Sequence, residues 1–114
     1  MNTRIDRRQL AIDLCTRSTC FVKMASVISD QIGIFAWGWN AMGPYGLGTH
    51  AEDHAISRAN RKRLSGSTIT VAGFRRGRYI LSRPCVRCYP LIVRMKIKTI
   101  EYIHPDGRWS VIHL

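Results

Sequence analysis

Acidic side chains are scarce in this chain: seven Asp and Glu stand against 18 Lys and Arg, for a formal net charge of +11. That imbalance leaves a surface that draws anions. A run of about 18 apolar residues, the length a spanning helix requires, is missing, so no membrane partner is expected. Met1 to Gln9 is polar and basic with no apolar segment behind it, so no secretory signal peptide is expected either. Four cysteines are too few for a disulfide-dense scaffold and suit a reducing, intracellular setting, the cytoplasm or an infected host cell. Low-complexity tracts, internal repeats and linkers are all missing. A chain of 114 residues with these properties is expected to form one domain over residues 1–114, with a modest core.

What is present is a sparse set of reactive side chains at telling spacings. His50-Ala51-Glu52 is followed by Pro84-Cys85-Val86-Arg87-Cys88. One imidazole and two thiolates are three ligands of the kind tetrahedral zinc prefers, and no fourth protein ligand is obvious. A position left to water, with a carboxylate beside it to handle protons, describes a hydrolytic site. Cys85 and Cys88 alone would also fit a redox pair, but no strand–helix context or second motif supports that reading. His54 lies one helical turn after His50. The metalloprotease pattern, however, needs Glu directly after the first histidine, where Ala51 stands. His54 is therefore read as a satisfied, half-buried polar residue. Cys15 and Cys20 are read as buried, unreactive thiols. His104 and His113 receive no role.

The pattern His-x-Glu with a later Pro-Cys-x-x-Cys resembles the zinc-dependent cytidine deaminase superfamily. The resemblance implies Zn2+ held by His50, Cys85 and Cys88, with Glu52 as the catalytic proton shuttle. It further implies Asn40 as a contact to a sugar hydroxyl or base, and the Ala51 backbone amide as a donor to the base carbonyl. Trp37, Trp39, Tyr45 and Tyr89 could stack a base, although core packing is the stronger expectation for each. The implied reaction is hydrolytic deamination of cytosine in a free (deoxy)cytidine nucleoside or nucleotide. The alternative is a cytosine within single-stranded DNA or RNA.

Periodicity gives a compatible order of elements. A helix is expected from Asp6 to about Cys20, then strands over Phe21 to Ser29 and Gln31 to Trp39 around a turn at Asp30. Asn40 to Thr49 reads as a loop, and Thr49 as the cap of a helix from His50 to about Lys62. A strand follows over Thr68 to Phe74, extended or paired by Tyr79 to Leu81. Pro84 suits the start of a helix from Cys85 to about Arg94. Strands over Thr99 to Ile103 and Trp109 to His113 close the chain. Together these imply an α/β fold of three α-β-α layers: a mixed sheet of about five strands with helices on both faces.

The four-residue turn His104-Pro-Asp-Gly107 is too short for a parallel return, so the last strand is expected to run antiparallel. Within the superfamily that arrangement is similar to free cytidine deaminases. His50 departs from those enzymes, which usually have cysteine there. Gly38-Trp39-Asn40 with Gly46 and the stretch His50 to Ile56 is instead similar to deoxycytidylate and riboflavin-pathway deaminases. Arginine makes up most of the basic residues. It clusters at Arg58 to Arg63, at Arg75 to Arg78, and at Arg83 and Arg87 beside the cysteines. Such clusters suit phosphate, which makes Arg83 and Arg87 candidates for a substrate phosphate and a nucleic-acid partner an open reading. A core this small would also gain from burial in a homo-oligomer.

Overall fold

The computed structural model describes residues 6–43 and 48–114. Tyr45, one of the four aromatic candidates, lies outside them.

Helix α1 (Arg7–Leu14) begins where the Asp6 carboxylate accepts the Arg8 amide at 2.9 Å, and it buries Ala11 and Leu14. A single 3-10 turn over Cys15–Arg17 ends it. The helix is thus shorter than the expected stretch to Cys20, and Ser18 is already extended. Strands β1 (Lys23–Ser29) and β2 (Ile34–Trp39) form an antiparallel pair. The turn between them is secured by Asp30, whose Oδ1 accepts the amides of Ile32 and Gly33 and whose carboxylate is clasped by Arg63.

Helix α2 (Ala51–Arg58) stops four residues earlier than the periodicity suggested. Ala59 is extended, and Asn60 accepts the Lys62 amide through its side chain, opening the separate short helix α3 (Arg61–Leu64). An Asn offers the backbone a local partner that competes with helix continuation, which explains the break. Thr49 is not the cap of α2: its backbone pairs with Ala41 in a bridge, and His50 takes the N-cap position without a side-chain cap bond.

Strand β3 (Thr68–Arg75) turns tightly through Arg76 and Gly77 into the two-residue strand β4 (Arg78–Tyr79). Helix α4 (Tyr89–Arg94) has Cys88 as N-cap and Pro90 in its first turn. Strands β5 (Thr99–Ile103) and β6 (Trp109–His113) complete a sheet ordered β2-β1-β3-β5-β6, with β4 attached to β3. Only β3 and β5 run parallel; β6 returns antiparallel to β5, as the short turn requires.

Side chains alternate across the sheet. Ala25, Val27, Ala72 and Ile103 pack under α1. Ile28, Ile69, Val71 and Ile100 pack on the other face with Ala55 and Ile56 of α2, Leu64 of α3 and Ile92 of α4. The layers are therefore α-β-α. A buried carboxylate interrupts the α1 face: Glu101 accepts the Thr70 hydroxyl at 2.6 Å and is paired with both Arg7 and Arg8 at the start of α1.

Candidate active site

Alternation along β1 also places Ser26 on the α2 face, where its hydroxyl donates to the Ala51 carbonyl at 2.7 Å. That bond fixes the first turn of α2 to the centre of the sheet. The helix also lies unusually close to β2. A Cβ added at Gly38 would stand 2.5 Å from the Ala55 amide nitrogen and 2.8 Å from the His54 Cβ. His54 completes the attachment: its Nδ1 receives the Trp39 amide at 3.1 Å, and its ring meets Trp39 edge-on. It is the satisfied polar residue expected from the sequence. Three contacts to two strands thus hold the helix that carries Glu52.

The cysteines arrive on the turn that leads into α4, on the same face of the sheet as α2. Cys85 opens a helical turn whose carbonyl receives the amides of Cys88 and Tyr89, each at 3.0 Å. This turn feeds directly into α4 and leaves Cys88 buried and Cys85 exposed. His50 Nδ1 lies 3.1 Å from the Cys88 sulfur and 3.6 Å from the Cys85 sulfur. The donor atoms of His50, Cys85 and Cys88 all fall within 4.8 Å of one another. Zinc with N and S ligands at ordinary bond lengths has N···S edges of about 3.6 Å in a tetrahedron. The donor set fits zinc in both chemistry and span.

Electrostatics point the same way. Burial pushes the Cys88 thiol well above its usual range, and Glu52 and Cys85 push it further up. A divalent cation would reverse that balance and make thiolates of both sulfurs, so binding would release protons. Glu52 is 5% exposed. Burial raises its carboxyl above the ordinary range, against its own backbone amide, Cys88 and His50, which pull it down. A raised carboxyl beside the donor cluster is suited to taking and giving protons near neutrality.

These groups line a cavity of about 400 Å³. Its wall includes His50, Ala51, Glu52 and Cys85, along with Asn40, Arg83 and Arg87. Asn40, Ala51, Arg83 and Arg87 thus share one cavity with three of the four motif residues. Trp37, Trp39 and Tyr89 are not part of its wall. Trp39 packs in the α1-face cluster and Tyr89 in the opposite one, while Trp37 is exposed beneath Arg58. Cys20 departs from its expected burial: it is only half-buried and lines the cavity with Met24, Met42 and Thr49. It escapes burial because the chain leaves the helical turn before reaching it. Cys15 is buried as expected, its thiol pushed up to about 12 by desolvation. No sequence signal marked Cys20 or Met24, since each reaches the cavity only through the path of the chain around β1.

The fold recurs in known structures. The chain is similar to a deoxycytidylate deaminase from the cyanophage S-TIM5, with TM-score 0.68 and 20% identity over 86% of this chain and 79% of that one. It is similar to the cytidine deaminase of Burkholderia pseudomallei, with TM-score 0.68 and 21% identity over 94% and 89% of the two chains. It also matches RibD of Acinetobacter baumannii, with TM-score 0.60 and 24% identity, covering 87% of this chain but 27% of that protein. No curated protein matches it. Residues 2–104 match the family model described as the cytidine and deoxycytidylate deaminase zinc-binding region. The chain, with its His50, Cys85 and Cys88 donors beside a buried glutamate, belongs to that family of zinc-dependent hydrolytic deaminases.

Proposed function

We propose that this protein deaminates the cytosine ring of a free cytidine or deoxycytidine nucleoside or nucleotide, giving the uracil product and ammonia. The observation that carries this function is the meeting of a three-donor N/S cluster with a buried carboxylate on the wall of one cavity. That cavity is of the size that takes a single small ligand.

His50, Cys85 and Cys88 would hold zinc, which when bound supplies the Lewis acidity that makes water nucleophilic near neutral pH. Glu52 moves the protons. Its carboxylate accepts one proton from the attacking water and delivers it to the ring nitrogen. It then accepts the second from the new hydroxyl on the ring carbon and passes it to the amine, which leaves as ammonia as the carbonyl forms. Burial raises that carboxyl against the pull of Cys88 and His50, and holds bulk solvent away from the transfer. The Ala51 amide lies in the first turn of α2, where backbone N–H groups have no partner within the helix, and can donate to the base carbonyl.

Asn40 contributes as a donor only. Its oxygen already accepts the Ser18 hydroxyl at 2.5 Å and the Met24 amide at 2.9 Å, and its nitrogen donates to the Val22 carbonyl at 2.8 Å. One N–H remains for a sugar hydroxyl. Arg83 and Arg87, both exposed at the cavity wall, suit a phosphate on that sugar.

The test is ammonia release by zinc-loaded protein from cytidine, deoxycytidine and their monophosphates. Turnover of at least one is expected, with the monophosphates favoured in KM. Zinc-loaded, folded protein that releases ammonia from none of the four would end this assignment.

A further inference from the structure

A second cavity, of about 490 Å³, adjoins the first through a shared wall residue, Cys20. Its lining differs sharply from that of the catalytic cavity: Phe21, Lys23, Phe74 and Arg76 contribute two aromatic rings and two cations. Phe21 is 62% exposed, an unusual position for a large apolar ring, and the guanidinium groups of Arg75 and Arg76 stand 5.5 and 5.8 Å from its centroid. Among the described residues, Arg75, Arg76 and Arg78 make no ion pair, whereas Arg7, Arg8, Arg63 and Arg108 do.

The turn that presents these arginines is strained. Arg76 and Gly77 both have positive φ, 53° and 73°. Two-residue hairpins of this kind strongly prefer Asn-Gly, and a long side chain at the first position is unfavourable there. An arginine held in that conformation, beside an exposed phenylalanine, marks a surface where charge at this point outweighs ease of folding.

We propose that this groove is a binding track for single-stranded nucleic acid. Strand phosphates would lie against Arg75, Arg76 and Lys23, with an unpaired base against Phe21. The partner is assigned by complementarity of charge and shape. A net charge of +11 favours a polyanion over a single phosphate. An exposed ring framed by guanidinium groups is a stacking platform for unpaired bases, which a duplex cannot offer. Continuity through Cys20 would bring such a strand to the mouth of the catalytic cavity. The inference goes beyond deamination of free nucleosides and stands whether or not those are turned over.

The experiment measures binding of a fluorescein-labelled oligothymidylate to zinc-loaded protein by anisotropy across a salt series. This ligand carries no cytosine, so the signal is independent of turnover. Arg76→Asn suits the turn and should leave the melting temperature unchanged or higher while weakening binding several-fold. Arg75→Ala with Arg76→Asn should lower the salt slope by about 1.4, the loss of two phosphate contacts on a single strand. Phe21→Ala should weaken binding about tenfold with the slope unchanged, as loss of one stacked base predicts. Arg61→Ala serves as control, since α3 lies beside Asp30 at the opposite end of β1 from Lys23; it should change affinity less than twofold. The proposal is overturned by no binding at low salt, by equal losses in Arg61→Ala and the groove variants, or by equal competition from duplex DNA or polyglutamate. Oligonucleotide binding without ammonia release from any of the four nucleosides and monophosphates would remove the deaminase assignment and leave this one. Turnover without binding would do the reverse.

Discussion

Replacing Gly38 by alanine tests how the site is positioned. The new Cβ would lie 2.5 Å from the Ala55 amide nitrogen and 2.9 Å from the His54 carbonyl carbon, where ordinary contact begins at 3.4 Å. Those two atoms are backbone, and the third obstruction, the His54 Cβ at 2.8 Å, is bonded directly to it. Helix α2 must therefore retreat from β2 by roughly 1 Å, and a displacement of that size in a catalytic constellation costs about a hundredfold in rate. Overpacking of this kind destabilises by about 1–3 kcal/mol. In a domain of this size each kcal/mol lowers Tm by roughly 4–8 °C. The expected variant therefore melts about 5–20 °C lower and, well below its Tm, retains zinc while losing about two orders of magnitude in kcat/KM. Circular dichroism melts, metal analysis and ammonia release measure the three quantities. Because the clash is with backbone, trimming the neighbour in Gly38→Ala/Ala55→Gly should restore nothing. A fully active Gly38→Ala, or full rescue by the second substitution, would refute the reasoning.

Glu52→Gln should keep zinc and fold but lose at least a hundredfold in kcat, because the amide cannot shuttle protons; unchanged turnover would remove Glu52 from the mechanism. In metal-free protein the same variant should melt no lower than wild type, since burial raises the carboxyl and so disfavours the charged form that glutamine replaces. Cys88→Ala should lose zinc and stability together, and chelation should lower the wild-type Tm with a larger effect than on the variant, as differential scanning calorimetry would show. Zinc affinity should fall as pH falls, because the Cys88 thiol, held up by burial, must shed its proton to bind. At Glu101 burial raises the carboxyl, but hydrogen bonds from Arg7, Thr70 and Arg8 outweigh it and leave it lowered. Its stabilisation is therefore complete above the ordinary value of 4.5 and lost as pH falls through the lower folded value. Glu101→Gln should be less stable than wild type at pH 7, and the gap should shrink in urea melts taken progressively below pH 4.5.

The donor set and the antiparallel last strand were legible in the sequence because both rest on short-range constraints. Residue types and spacings name a metal site, and a four-residue turn admits one strand direction only. Other features depended on contacts distant in the chain. Asn60 divides a helix whose apolar pattern runs on, because its side chain bonds the backbone within the next turn. Glu101 looked like one more strand residue until Arg7 and Arg8, far away in the chain, closed over it. Gly38 is an unremarkable strand glycine until α2 lies against it. Cys20 and the Phe21 groove acquire meaning only where the chain bends out of α1 and passes the β3–β4 hairpin. Sequence by itself thus determined which atoms could do the chemistry, since reactivity belongs to side-chain type. Tertiary structure alone decided which of them meet, how deeply they are buried and what surface surrounds them, since proximity and desolvation arise only when distant segments pack.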